Sequence, residues 1–510
     1  MKSSIIFKLA VFVYLCTFSL LSAQDKPNII LIYADDLGKG MLSHYGQKHL
    51  STPHIDSIAQ EGIEFKRYYG STFCAPARYT LLTGMHDGHK GAGSHTPGGF
   101  IKKLDAKHPK ENDWQQAYDA YINSRKKEVS IPPHEVFLAN IAQQAGYKTA
   151  QFGKLDIGFL TWNERVQRLG WDYHLGFYDH GRAHGFYPMY LWKNGKKTPL
   201  KGNTNPSAGK ASERGNEPVG SHGTTYSQDI FIDGMLSFIR ENKNDPFFLY
   251  HSTQLPHGPV AVNALHPEVA NNNELTLSEK KYASMIKILD HHVGLILKEL
   301  KEQGLEENTI IFFTSDNGHE TYYENKNKLL PKRTKTQLAD GTPANYTDKK
   351  WRSNNGGDIF NGAAGMANLK WSNFEGGVHC PMFVKWPGKI KAGGQTEHLA
   401  CHYDFMASMA AILGQSIPKG KNSLSYLPVL LGGKNQQKHD WIFINGSKRT
   451  YGTLITKDHW KLIKLKDSFQ LYSLKDDFLE EKNVADQHPE LLKKLITIFN
   501  QQKDKERTDL

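Results

Sequence analysis

Five mostly apolar runs of strand length recur along the chain, at Pro27–Tyr33, Tyr147–Phe152, Pro246–Tyr250, Thr309–Phe313 and Pro381–Val384. Helical patterns lie between them, notably Glu135–Ala145, Tyr226–Arg240 and Ser278–Gln303. The last carries Met285, Leu289, Val293, Ile296, Leu297 and Leu300 at helical spacing, which predicts a core-facing stripe. Strand and helix alternating in this way predict an α/β fold, a mostly parallel central sheet sandwiched by helices. Ligand residues in such folds collect beyond the carboxyl ends of the strands, and the polar motifs of this chain fall there.

After about residue 430 the character changes. Trp441–Asn445, Tyr451–Thr456, Trp460–Lys464 and Phe469–Tyr472 read as short strands in a meander, and His488–Asn500 as an amphipathic terminal helix. The expected division is therefore a catalytic unit over 24–430 and a smaller antiparallel sheet-plus-helix subdomain over 431–510. Two polar stretches, Ser94–Lys127 and Thr321–Gly357, are long for connections and are expected to be functional loops or insertions.

Residues 1–23 combine Lys2 and Lys8 with an apolar run from Leu9 to Leu21 and Ser22-Ala23 before Gln24. That reads as a cleavable signal peptide ending at Ala23. The run is too short for a membrane span, and Leu15 before Cys16 argues against a lipid anchor. The expectation is an exported protein, periplasmic or extracellular, with no stable membrane partner. The formal charge of +11 stays strongly positive after Lys2 and Lys8 leave. Export, and basic residues scattered without an aromatic-interleaved patch, argue against nucleic acid and for an acidic extracellular substrate. Outside the leader only Cys74, Cys380 and Cys401 remain, too few for a disulfide scaffold. Cys380 and Cys401 are expected as free thiols.

The densest chemistry lies in Phe73-Cys74-Ala75-Pro76-Ala77-Arg78-Tyr79-Thr80-Leu81-Leu82-Thr83-Gly84. Pro76 suits a first helical turn and Gly84 a helix end. Cys74 would then sit in the positive field of a helix N-terminus with the Arg78 guanidinium one turn away, a place for an anion and a reactive side chain. This spacing resembles the signature of the type I sulfatases of the alkaline phosphatase superfamily. Two positions depart from it: Ala77 stands where serine is usual, and Met85 follows Gly84 where arginine is commonest. The resemblance implies that a formylglycine-generating maturation enzyme oxidises Cys74 to Cα-formylglycine. It also implies an alkaline-phosphatase-like fold with a small C-terminal subdomain of antiparallel sheet and packed helix.

Asp35-Asp36 follows one strand and Asp316-Asn317-Gly318 another. Three carboxylates and an amide oxygen make an all-oxygen site for a hard cation, with calcium the natural occupant. Apposed buried carboxylates would repel without it. The resemblance implies the same four ligands, together with the modified residue 74. A cationic layer follows: Lys154, His257, and Lys370 five residues before Glu375-Gly376-Gly377. Lysines and Arg78 can hold the oxygens of a sulfate ester, and a histidine can protonate the leaving alcohol. The resemblance implies those roles for Lys154, Lys370 and His257, with a hydroxyl of hydrated formylglycine attacking sulfur.

The chain departs from the family in Gly153-Lys154-Leu155-Asp156-Ile157-Gly158, where Asp156 takes the place of a histidine base. Either Asp156 or His319 can fill that role. The segment from Tyr178 to Tyr187 carries His180, Arg182 and His184 among aromatics, and reads either as a carbohydrate subsite or as a structured loop with buried aromatics. The expected function is removal of sulfate from a sulfated sugar or polysaccharide. The alternatives are a phosphonate or phosphodiester hydrolase of the same superfamily, and a non-catalytic binder of sulfated glycans.

Overall fold

The computed structural model describes residues 26–90, 100–108, 111–129, 134–155, 165–178, 181–204, 219, 223–323, 358–433, 437–447 and 450–508. The leader expected at 1–23 lies outside them. Strand Asn28–Ala34 occupies the middle of a ten-stranded sheet, between Thr309–Ser315 and Phe247–Ser252, both parallel to it. Outward from Phe247–Ser252 come Lys148–Lys154 and Tyr173–Phe177, also parallel, then the antiparallel Tyr190–Lys193 and Lys196–Pro199. On the other side, Met382–Lys385 runs antiparallel to Thr309–Ser315 and leads to Ile63–Phe65 and Gly394–Thr396. The sheet is mixed and mostly parallel, as the alternation of strand and helix predicts.

Its central strands are buried on both faces, hence their continuous apolar sequences. Side chains alternate: Ile29, Leu31 and Tyr33 enter one core, Ile30 and Ile32 the other. Helix Leu277–Glu302 covers the second face with Met285, Leu289, Val293, Ile296 and Leu300 buried, while Leu297 is only partly so. Thr276 caps it by accepting from Glu279 N–H, and Glu279 reciprocates.

The stretch from Ser94 to Lys127 is not a loop where it is described. It contains helices Phe100–Lys107 and Glu111–Val129. Trp114 and Tyr118, four residues apart, stack at 5.0 Å and bury against Trp192, an anchoring pair diluted by charged neighbours. Of Thr321–Gly357, residues 324–357 lie outside the described set.

The C-terminal strands Trp441–Asn445, Gly452–Thr456, Trp460–Lys464 and Phe469–Ser473 form a four-stranded antiparallel meander. Phe443, Leu454, Leu462 and Leu471 face Leu495 and Phe499 of helix Pro489–Gln502. Ile442, Ile444 and Ile455 turn the other way onto Tyr69 and Val378. Cys380 and Cys401 are free thiols. No helix among the described residues is long and apolar enough to cross a membrane.

Three core histidines set a pH dependence. Burial pushes His251, His292 and His402 down from 6.5 to about 3. Between those values the unfolded chain binds protons that the folded one does not, so stability is lost as pH falls through the window. The unfolding temperature should drop steadily from pH 6.5 toward pH 3; a constant Tm across that range would contradict the assignment.

Candidate active site

Helix Cys74–Thr83 begins at the centre of the cluster. Phe73 precedes it in extended conformation, and Gly84, at φ 67, ends it in the left-handed region. A Cβ at Gly84 would also lie 2.7 Å from Met406 Sδ. Every residue of the helix is buried, Arg78 included.

Strand pairing brings the acidic motifs together. Ala34 lies opposite Ser315 in parallel register, so the chain ends one strand at Asp35-Asp36 and its neighbour at Asp316-Asn317. Asp316 N–H donates to Ala34 O at 3.0 Å, and Asp36 N–H to Asp316 Oδ1 at 2.9 Å. Asp36 turns the chain at φ 66, a conformation aspartate tolerates better than most residues. Asp35, Asp36, Cys74 and Asp316 each offer one ligand atom, all within 4.8 Å of one another. Asp35 Oδ1, Asp316 Oδ2 and Asn317 Oδ1 are buried without a hydrogen bond. Asn317 spends its Nδ2 on Asp36 Oδ1 and Gly318 O, which leaves its oxygen bare. Bare buried oxygens fit a hard cation.

Cations surround this centre. Arg78 lies 3.5 Å from both Asp35 Oδ2 and Asp316 Oδ2, over the Tyr33 ring, and donates to Ser252 Oγ. Lys154 Nζ donates to Asp35 Oδ2 at 3.0 Å. Lys370 Nζ reaches Asp36 Oδ2 at 2.8 Å, His257 Nε2 at 3.2 Å and Cys74 Sγ at 3.3 Å. Burial opposes ionisation of Asp35, yet the Lys154 ammonium and the Arg78 guanidinium hold its carboxyl well below the usual range. Asp316 goes the other way, pushed well up by burial and by Asp35 beside it. A bound cation relieves that repulsion.

Burial and Asp35 also raise the Cys74 thiol. An unmodified thiol here is therefore a poor nucleophile despite the helix N-terminus. Burial and Lys370 push His257 down to about 3, so its ring is neutral near pH 7. Its Nδ1 lies 2.5 Å from Gly258 O, a carbonyl that can only accept. The proton therefore sits on Nδ1, and Nε2 accepts from the Lys370 ammonium.

The other expected residues divide between this centre and its surroundings. His184 stacks on His257, ring centroids 4.0 Å apart at 12°. Arg182 instead pairs with buried Asp105, which also accepts from the Tyr190 hydroxyl, tying its loop to helix Phe100–Lys107. His319 Nε2 meets the Tyr323 hydroxyl at 2.7 Å, and that hydroxyl donates to Asp358. Its ring is thus engaged by Tyr323 rather than by Cys74. Asp156 and His180 lie outside the described residues. Tyr322 was not legible: its hydroxyl donates to Asp36 Oδ2 and its ring packs 4.8 Å from His257, but it sits in a polar stretch that reads as loop. Ser252 had a positional signal, the last residue of a central strand.

Known proteins resemble this chain along most of its length. Residues 27–415 match the family model described as Sulfatase, and residues 369–506 that of N-sulphoglucosamine sulphohydrolase, C-terminal. An N-acetylgalactosamine-6-O-sulfatase of Bacteroides thetaiotaomicron is 29% identical over 539 residues, spanning 93% of each chain. The human N-acetylgalactosamine-6-sulfatase is 26% identical over 432 residues, 81% of this chain and 67% of that one. A solved structure from work on glycosaminoglycan metabolism by Bacteroides thetaiotaomicron superposes with a TM-score of 0.68 at 25% identity, covering 94% of this chain and 99% of that one. With its alkaline-phosphatase-like fold, the chain belongs to the sulfatase family and is a sulfuric ester hydrolase.

Proposed function

We propose that the protein is exported and removes sulfate esters from a sulfated sugar, using Cα-formylglycine at position 74 and a calcium ion. Asp35, Asp36, Asp316 and Asn317 would hold the calcium, next to residue 74. The observation that carries this reading is the juxtaposition of bare carboxylate and amide oxygens with Cys74 Sγ and Lys370 Nζ. Sγ stands where the oxygens of the modified residue would be. When present, the hydrated aldehyde supplies two geminal hydroxyls, one to attack sulfur and one whose deprotonation expels sulfate. Bound calcium supplies positive charge that favours the ionised hydroxyl.

The chain's own residues do the rest. Lys154, Arg78 and Lys370 hold the sulfuryl oxygens and offset charge that grows in the transition state. His257, protonated at Nε2 from solvent once the anionic ester is bound, passes that proton to the departing alcohol, while Lys370 keeps its own charge. Asp156 accepts the proton that releases sulfate, and a burst of alcohol release from Asp156→Asn checks this. If no burst appears, His319 is the next candidate. His180, Arg182 and His184 lie in the chain segment assigned to the sugar.

The signal peptide of 1–23, the catalytic unit of 24–430 and the subdomain of 431–510 complete the reading, together with a maturation enzyme acting on Cys74. The relative from Bacteroides thetaiotaomicron makes N-acetylgalactosamine 6-sulfate the first substrate to try. Protein coexpressed with a maturation enzyme should release sulfate from it, and release little alcohol from an aryl phosphodiester. Preference for the phosphodiester would assign the phosphonate-hydrolase chemistry instead. Tight binding of sulfated sugar without turnover would assign a binder.

A further inference from the structure

Trp371 immediately follows Lys370 and holds φ 72, a backbone region that a bulky side chain enters at a penalty and glycine enters freely. Its backbone is pinned from both sides. Trp371 N–H donates to Thr72 O at 2.7 Å, and Ser447 Oγ donates to Trp371 O. Among the described residues, the indole belongs to none of the hydrophobic clusters above. It stacks on Phe73, the residue before Cys74, with ring centroids 4.5 Å apart at 20°. Both rings are half-buried. Lys370 Nζ, 3.3 Å from Cys74 Sγ, lies over the indole 5.5 Å from its centroid.

Two chain segments that supply a cluster residue each thus supply an adjoining aromatic, and the two aromatics meet. A strained tryptophan kept where glycine would fit without strain points to a use for its ring. We propose that Trp371, backed by Phe73, is a stacking platform for the pyranose that carries the scissile sulfate. The inference rests on the sulfatase reading of Cys74 and Lys370. With the ester group held by Lys370, the sugar it is attached to lies within reach of the indole. The C–H groups on one face of a pyranose are the apolar surface such a ring takes. Neighbouring charges hold the sulfate, while the platform discriminates a sugar sulfate from a bare sulfate ion.

Calorimetric titration of the Cys74→Ala protein, which binds without turning over, tests this with N-acetylgalactosamine 6-sulfate and inorganic sulfate as probes. The parent should bind the sugar sulfate more tightly than inorganic sulfate. Adding Trp371→Gly should weaken the sugar sulfate about 10-fold and leave inorganic sulfate nearly unchanged. Trp371→Phe should restore most of the difference. Sugar affinity unchanged in Trp371→Gly, equal weakening of both probes, or a parent with no preference for the sugar would each overturn the platform. Failure of the sulfatase reading itself would show separately, as wild-type protein with formylglycine that releases no sulfate from any ester.

Discussion

Cys74→Ala should lose turnover by about 10⁴-fold or more, the scale seen when a covalent nucleophile is removed, and should keep its fold. The side chain is 1% exposed, so the change is made in a packed setting. Only the atoms beyond Cβ leave, and alanine is the best residue for the helix that starts there. The stability loss should stay near ~1 kcal/mol. Lys370 loses one contact of four and keeps Asp36, His257 and Tyr322. Steady-state assay beside thermal unfolding separates the two effects. Turnover within a few-fold of wild type would remove residue 74 from the chemistry.

Exhaustive chelation should abolish activity, and calcium should restore it better than zinc, because the four proposed ligands offer only oxygen. Stability should fall as well. Asp35, Asp36 and Asp316 are all fully buried, and without a cation their mutual repulsion is offset, among the described residues, by Arg78, Lys154 and Lys370 and by the hydrogen bonds that Asn317 and Tyr322 donate to Asp36. A ligand that binds only the folded state adds stability that grows with the logarithm of its concentration above Kd, so Tm should rise with calcium concentration. Full activity in protein shown metal-free by elemental analysis would dismiss the site.

Much of this was legible because strand ends carry it. The parallel strands at 28–34 and 309–315 read as apolar runs, and each is followed directly by its acidic motif. Their pairing then makes Asp35 and Asp316 neighbours without further information. The helix at Cys74 was equally readable from Pro76 and Gly84. What sequence hid is what depends on packing between distant segments. Trp114 and Tyr118 are two apolar residues in a charged stretch, and only Trp192 gives them a surface to bury against. The Arg182 pairing with Asp105 has the same origin: the segment near His184 read either as a sugar subsite or as a structured loop, and among its described residues Arg182 turns to Asp105 while His184 stacks on His257. Tyr322 and Trp371 act through ring placement beside Lys370, and no periodicity announces that.

The most direct test of the account is the mass of tryptic peptide Tyr68–Arg78 from protein that is turning over substrate. The account predicts the mass of an aldehyde in place of the thiol at residue 74, in a fraction of molecules that rises and falls with specific activity. Full activity in protein whose residue 74 is quantitatively an unmodified cysteine would contradict it.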